Sequence, residues 1–124
     1  MLIIDDEPYI TVILSRFFGQ EEIVTANDGA AALEILGSRG DFDVVLCDLN
    51  MPEIDGIDIY GWLRAHRPNL SERIIFLSGG AYDARMISFT ANTTQPIVDK
   101  PFTFEELIGL VKRIARPSQV AVQG

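Results

Sequence analysis

Short apolar runs alternate with stretches of helical periodicity along the whole chain. Five runs are typical of buried strands because they are short, rich in branched residues and bounded by polar residues. Between them apolar residues recur at the spacing of amphipathic helices, as in the stretch 10–17 after Pro8. The last helix starts with the capping box Thr103–Glu106 and is expected to bury Phe104. The predicted strands are 2–4, 22–26, 44–48, 74–78 and 97–98, and the predicted helices are 8–17, 30–36, 57–66, 82–91 and 104–114.

This alternation of five strands with five helices predicts an α/β fold. Parallel strands need crossover connections, so we expect a doubly wound parallel sheet with helices on both faces. A chain of 124 residues is long enough for one domain with its own core. We expect the domain to span residues 1–116, with 117–124 as a C-terminal tail or linker. The flavodoxin-like order 2-1-3-4-5 is favoured because it places the ends of four strands around one crevice.

Four of the predicted strands end in polar residues suited to phosphoryl chemistry. The first strand runs into Asp5 and Asp6, the third into Asp48 and the fourth into Ser78, while the fifth leads to Lys100. Open α/β sheets bind their ligands at the edge where the carboxyl ends of the strands meet. These side chains are therefore expected to form one site.

Charge, apolar content and cysteine content exclude some classes of function and favour one cellular compartment. The net charge is −8 and no basic cluster is longer than Lys112–Arg113, which argues against nucleic-acid binding by this chain. No apolar run approaches the ~20 residues of a membrane span, and the N-terminus lacks the layout of a signal peptide. The single Cys47 cannot form an internal disulfide, so a cytoplasmic location is favoured. The acidity either serves solubility or marks a site that needs a cation.

The joint order and spacing of the motifs resemble those of a response-regulator receiver domain, over essentially the whole chain. That family belongs to two-component signalling and accepts a phosphoryl group from histidine onto aspartate. The resemblance implies that this chain does the same with Mg²⁺, for which Mn²⁺ can substitute, and then changes its surface for a partner. The motifs that carry the resemblance are Ile4–Glu7, Asp48–Pro52, Asp55–Gly56, Ser78 and Lys100–Phe102.

The resemblance implies that Asp48 is the phosphoacceptor. A carboxylate is ionised near pH 7 and can attack phosphorus without a general base, although it repels an anionic donor. A divalent cation removes that repulsion, and Mg²⁺ prefers carboxylate and substrate oxygens. Taken alone, the acid pair before the first helix could also be an N-terminal cap. The implied metal ligands are Asp5, largely through water, Asp6, Asp48 and the backbone carbonyl of Asn50.

Lys100 and Ser78 complete the implied site. The lysine would supply a fixed positive charge to the carboxylate and the phosphoryl group. Pro101 disfavours helical geometry at Lys100 and so keeps this residue extended. Ser78 is implied to hydrogen-bond a phosphoryl oxygen, since as a nucleophile it would lack a partner. The sole histidine, His66, is predicted to lie on a helix surface, and Cys47 is predicted to pack in the core.

The fifth strand departs from the family pattern. Most response regulators carry an aromatic residue three positions before the lysine, and here that position is Ile97. We therefore expect phosphorylation to change the surface at residues 79–96 without an aromatic flip. The segment Thr90–Pro96 is similar to receivers fused behind histidine kinases, which leaves both a stand-alone regulator and a piece of a hybrid kinase open.

A receiver implies a histidine kinase or histidine phosphotransfer protein as its partner, no nucleic-acid or membrane contact by this chain, and a monomer or weak dimer. The isolated domain would not be an enzyme, although it would assist its own phosphorylation and dephosphorylation. If it came from a hybrid kinase, the parent would be a histidine kinase. The alternative is a Mg²⁺-dependent aspartyl-phosphate hydrolase acting on a small phosphate ester. Such enzymes need a second acid where this chain has Asn50.

Overall fold

A computed structural model of the chain describes residues 1–19, 22–80 and 82–115. Its centre is a five-stranded parallel sheet in the order β2-β1-β3-β4-β5. This confirms the predicted fold class and strand order. The strands are β1 (Leu2–Ile4), β2 (Val24–Ala26), β3 (Val45–Asp48), β4 (Ile74–Ser78) and β5 (Ile97–Asp99).

The five predicted helices are present, and a one-turn helix adds a sixth among the described residues. Aspartate or threonine side chains cap four of them by accepting a backbone N–H, which satisfies a donor that the helix itself cannot bond. The helices are α1 (Pro8–Phe17), α2 (Gly29–Ser38), α3 (Gly56–His66), α4 (Pro68–Ser71), α5 (Ala84–Asn92) and α6 (Phe104–Ile114).

The sheet separates two hydrophobic clusters. One lies between the sheet and helices α1 and α6, and it takes Ile3, Leu46 and Val98 from the strands. The other packs against α2, α3, α4 and α5, and it takes Cys47 and Phe76 from the strands. Successive strand residues point to opposite faces, so each strand contributes to both clusters.

This alternation assigns the polar residues at the strand ends to two sides. Asp5, Asp48 and Lys100 each follow by two positions a residue of the α1–α6 cluster, whereas Ser78 follows Phe76 of the opposite cluster. The acids and the lysine are therefore directed to one side of the sheet edge, and the serine hydroxyl to the side of α5.

One core prediction is wrong. Phe104 is 39% exposed, and its ring stacks on Phe17 with 4.1 Å between the centroids. The residue starts α6 at the edge of the domain, where a helix cannot cover its own first turn. Thr103 caps the helix as predicted, accepting the Glu106 N–H at 3.2 Å. The predicted tail 117–124 lies outside the described residues, within which no helix is long and apolar enough to cross a membrane.

Candidate functional site

The backbone holds the ends of β3, β4 and β5 side by side beyond the last paired residues. Leu49 donates its N–H to the carbonyl of Leu77 at 2.9 Å, and Lys100 donates to the carbonyl of Ser78 at 2.7 Å. Residues that follow separate strands are thus fixed relative to one another by main-chain hydrogen bonds. The predicted site residues share this edge because the strand order makes their strands neighbours.

Four carboxylates gather at the edge. Oxygens of Asp5, Asp6, Glu7 and Asp48 lie within 4.8 Å of one another. Asp5 and Asp48 are buried, and the other two are half-buried. Carboxylate oxygens are the hard ligands that Mg²⁺ takes, and so many negative charges repel one another unless a cation is near. The donor set therefore fits a divalent metal ion.

Lys100 is the cation at the centre of this cluster. Its Nζ lies 2.8 Å from Asp5 Oδ2, 3.0 Å from Glu7 Oε1 and 3.6 Å from Asp48 Oδ2. Burial works to lower the pKa of Lys100, but hydrogen bonds to Asp5 and Glu7 outweigh it and the pKa is raised. The ammonium thus keeps its charge over the whole physiological range.

Glu7 is a site residue that the sequence analysis did not single out. Its carboxylate accepts from Lys100, and this bond lowers the pKa of Glu7, with a hydrogen bond from Tyr9 adding to the effect. Its place directly after Asp5-Asp6 in the first motif was the available signal. The residue supplies the most exposed of the three oxygens around the ammonium.

Asp48 is held in an environment that disfavours its charge. Burial, followed by repulsion from Asp5, raises the pKa of Asp48 to about 7, against the opposing effects of Lys100 and the Asn50 N–H. The expectation of a fully ionised carboxylate near pH 7 therefore changes for the metal-free protein. Positive charge brought into the cluster would restore the ionised form.

The loop between β3 and α3 fixes the orientation of the Asp48 carboxylate. Asn50 donates its N–H to Asp48 Oδ1 at 3.1 Å, which fixes the carboxylate orientation. At Gly56 a Cβ atom would lie 2.8 Å from the Asp48 carbonyl oxygen, so the loop can return close to the strand only with glycine there. This accounts physically for the Asp55–Gly56 motif.

Ser78 is buried, as its position at the end of an inner strand requires. Its hydroxyl donates to the phenolic oxygen of Tyr82 at 2.9 Å and accepts the Gly80 N–H at 3.2 Å. Tyr82 was not predicted as a site residue, because the sequence placed it at the start of a helix over 82–91. In the structure α5 begins at Ala84, and Tyr82 lies in the loop before it. The contact leaves the serine hydroxyl engaged by the loop after β4.

A second loop contact was also missed. Asp55 and Asp58 form a reciprocal capping box at the start of α3. Arg85, in the first turn of α5, donates to Asp55 Oδ2 at 2.6 Å and to Asp58 Oδ1 at 2.7 Å. The arginine therefore ties α5 to α3 just beyond the loop that carries Tyr82.

The residues set aside in the sequence analysis lie away from the cluster. His66 is exposed and stacks on Trp62 with 4.5 Å between the centroids, as predicted for a surface residue. Cys47 is fully buried in the cluster under α3, and burial raises the pKa of its thiol well above the ordinary value. Neither side chain is placed for catalysis.

Sequence comparison identifies the family. The family model described as the response regulator receiver domain matches residues 1–112. Among curated proteins, the transcriptional regulatory protein SrrA of Staphylococcus aureus is 33% identical over 121 residues, 96% of this chain and 48% of its own length. The probable transcriptional regulatory protein TcrX of Mycobacterium tuberculosis is 30% identical over 122 residues, 97% of this chain and 51% of its own length. The chain thus spans about half the length of these relatives.

Solved structures agree with this assignment. The response regulator protein TrrA from Thermotoga maritima, in complex with Mg²⁺–BeF, has a TM-score of 0.74 and 33% identity, covering 91% of this chain and 96% of its own. A receiver domain protein from Clostridium thermocellum has a TM-score of 0.79 at 24% identity, covering 91% of this chain and 90% of its own, and so supports the fold. The acidic cluster, the lysine and the hydroxyl lie at the strand ends of this same fold, and the chain belongs to the response regulator receiver domain family.

Proposed function

We propose that Asp48 is the residue on which this receiver domain carries its phosphoryl group. Family membership gives the chain a phosphoacceptor role in two-component signalling. One observation supports the choice of residue: Asp48 is the buried acid at the end of the central strand β3, with Lys100 Nζ at 3.6 Å and three further carboxylates around it.

The residues proposed to hold Mg²⁺ are Asp6 and Asp48 directly, Asp5 largely through water, and Asn50 through its backbone carbonyl. The complex of the similar protein TrrA with Mg²⁺–BeF supports this metal, and Mn²⁺ is proposed as a substitute because it takes the same oxygen ligands. When bound, the cation supplies positive charge that offsets the repulsion between the carboxylates and an anionic phosphoryl donor.

The chemical step is a displacement at phosphorus. An oxygen of the ionised Asp48 forms the new P–O bond while the P–N bond of a phosphohistidine breaks, and its electron pair returns to the imidazole nitrogen. Lys100 faces the attacked region with a charge that needs no reorganisation, because Asp5 and Glu7 already orient its ammonium. Ser78 would donate a hydrogen bond from its hydroxyl to a phosphoryl oxygen of the product and keep its proton.

The wider setting follows from the same role. We propose a histidine kinase or a histidine phosphotransfer protein as the phosphoryl donor and a cytoplasmic location, with the chain a monomer or weak dimer. The receiver is assigned to residues 1–116 and a tail or linker to 117–124. The domain would assist its own phosphorylation and dephosphorylation, and a hybrid parent would itself be a histidine kinase.

Intact-mass spectrometry after incubation with acetyl phosphate and Mg²⁺ tests the proposal. We expect one phosphoryl group per wild-type chain and none on Asp48→Asn. The matched control is Asp99→Asn, which removes an exposed acid at the end of β5 and should be labelled normally. Undiminished labelling of Asp48→Asn would contradict the assignment, and steady turnover of a chromogenic phosphate ester would favour the hydrolase alternative.

A further inference from the structure

The Ser78 hydroxyl is fully committed in the described structure. The residue has 0% exposure, its O–H donates to Tyr82 Oη at 2.9 Å, and its oxygen accepts the Gly80 N–H at 3.2 Å. Water does not reach the side chain while Tyr82 is in place. Any new partner for the hydroxyl proton must therefore displace the tyrosine.

A serine hydroxyl has a single proton to donate. Phosphoryl oxygens at neutral pH are mainly hydrogen-bond acceptors, so a phosphoryl group on Asp48 requires that proton. Tyr82 Oη and the phosphoryl oxygen hence compete for the same donor, and the two hydrogen bonds exclude each other.

Tyr82 is placed where it can leave. Its side chain is at the surface, with 39% exposure, so the phenol can exchange Ser78 for water. The chain between the two residues includes Gly80, whose φ of 89° is accessible mainly to glycine. Beyond the tyrosine, Asp83 caps α5 by accepting the Met86 N–H at 2.8 Å, and Arg85 ties the helix to α3. These contacts hold the start of α5, so displacement of the tyrosine begins in the loop.

We propose that Tyr82 is a positioning residue for Ser78: it holds the hydroxyl in the unphosphorylated state and releases it to the phosphoryl group. The inference rests on the proposed role of Asp48 and Ser78 and extends it to the loop. Phosphorylation then frees a phenol at the surface between Ser78 and α5, which gives a partner a new group to recognise.

The residue at position 97 is not suited to this role. Ile97 lies opposite Phe76 in the strand register and packs on the cluster under α5, with no polar group to exchange between water and the interior. The polar aromatic residue that touches Ser78 comes from the loop after β4, and its hydroxyl reports the state of the serine directly.

The test measures the affinity for beryllofluoride, a phosphoryl mimic, in saturating Mg²⁺. Four proteins are compared: wild type, Tyr82→Phe, Ser78→Ala and the double variant. We expect Tyr82→Phe to bind beryllofluoride about three- to tenfold more tightly, because binding no longer breaks one neutral hydrogen bond. In the Ser78→Ala background the same substitution should change the affinity by less than about twofold. Tyr60→Phe removes a hydroxyl that accepts from Arg64 at 3.5 Å; it is the matched control and should bind as wild type.

A spectroscopic measurement separates hydrogen-bond exchange from altered packing. With fluorotyrosine at the three tyrosines, ¹⁹F NMR should show the Tyr82 resonance moving when beryllofluoride is added and the Tyr60 resonance staying in place. In Ser78→Ala the Tyr82 resonance should already lie near its released position before the mimic is added.

The outcomes distinguish this inference from the function on which it rests. Equal or weaker binding by Tyr82→Phe, a gain that persists without Ser78, or a Tyr82 resonance that does not respond would each overturn the role of Tyr82 while Asp48 remains the acceptor. A wild-type chain that does not bind beryllofluoride in Mg²⁺ would overturn the proposed function, and this inference with it.

Discussion

The two halves of the site are held together in different ways. The charged half consists of Asp5, Asp6, Glu7, Asp48 and Lys100, and the hydroxyl half consists of Ser78 and Tyr82. Lys100 binds Asp5 and Glu7 at 2.8 and 3.0 Å through charge-assisted bonds. Ser78 is joined to Tyr82 by one neutral hydrogen bond.

The difference separates what is fixed from what can change. Hydrogen bonds to charged groups contribute about 1.5–3 kcal/mol each, and neutral ones about 0.5–1.5 kcal/mol. The charged half also starts from strand ends whose backbone is locked by the sheet. A phosphoryl group is therefore expected to be received by groups already in place, while the hydroxyl half exchanges its partner.

The largest expected effect is on the charged half, in Lys100→Met. Removing a fixed positive charge from a site where negative charge develops costs about 10²–10³ in rate. We therefore expect phosphorylation by acetyl phosphate to slow by this factor, measured as the initial rate of labelling at saturating Mg²⁺. Lys112→Met, on the exposed side of α6, should keep the wild-type rate. A Lys100→Met rate within threefold of wild type would show that the Lys100 ammonium is not needed for phosphoryl transfer.

Asp48→Asn should stabilise the metal-free protein. The pKa of Asp48 is about 7 when folded against an ordinary 3.8, so the unfolded chain ionises first and stability is lost as the pH rises from about 4 to about 7. At about 1.4 kcal/mol per pKa unit, the penalty at pH 8 is on the order of 4 kcal/mol. Urea unfolding in chelator should show this gain at pH 8 and little difference at pH 4. Asp99→Asn should change stability by no more than about 0.5 kcal/mol at either pH.

Mg²⁺ binding to the charged half should also raise the free energy of unfolding. A cation relieves repulsion between the carboxylates only in the folded state, and tenfold excess over its dissociation constant adds about 1.4 kcal/mol of stability. We expect a higher melting temperature of the wild type with millimolar Mg²⁺ and no such rise in Asp6→Ala. Asp99→Ala should respond as wild type does. A wild-type melting temperature that does not change with Mg²⁺ would contradict the proposed metal site.

Arg85→Ala tests whether the tie between α5 and α3 limits movement beyond the loop that carries Tyr82. Its guanidinium is half exposed, so the loss of its bonds to Asp55 and Asp58 should cost only about 0.5–1 kcal/mol of stability. The informative readout is amide hydrogen exchange with and without beryllofluoride. We expect the exchange changes within α5 to be larger in Arg85→Ala than in wild type and in Arg113→Ala. An unchanged exchange map would show that the arginine does not limit the movement.

The smallest effect is expected for Ile97→Val. If the change of state passes through the loop and not through a side chain at position 97, removing one methylene there should leave the response intact. Beryllofluoride should then produce the same amide shifts in residues 79–96 as in wild type, measured by ¹⁵N NMR. Loss of those shifts in Ile97→Val would show that the change of state depends on the side chain at position 97 in β5.

The sequence was sufficient to place the polar residues at the strand ends, although β2 starts at Val24 and not at residue 22 as predicted. Apolar runs ending in Asp5, Asp48 and Lys100 predict neighbouring strand ends, and main-chain register then brings the side chains together. Residues that follow a strand have little freedom in where they point, so pattern and topology were enough. The strand order was inferred separately, from the need to gather four polar strand ends around one crevice, and it was confirmed.

The contacts that the sequence did not predict depend on loops and domain edges. The bond from Ser78 to Tyr82 and the bridge from Arg85 to the α3 cap require the path of a loop that has no periodicity. Phe104 fitted the apolar stripe of its helix, but its position at the edge of the domain leaves it partly in water. Burial follows from what surrounds an element as well as from its own pattern.

The most direct test of the account is to map the phosphorylated residue chemically. After phosphorylation in Mg²⁺, borohydride reduces an aspartyl phosphate to homoserine, which tandem mass spectrometry locates in the sequence. We expect homoserine at position 48 alone, with none in a sample from which the phosphoryl donor was omitted. Homoserine at position 5 or 6, or a stable phosphate on Ser78, would contradict the assignment of Asp48 as the acceptor.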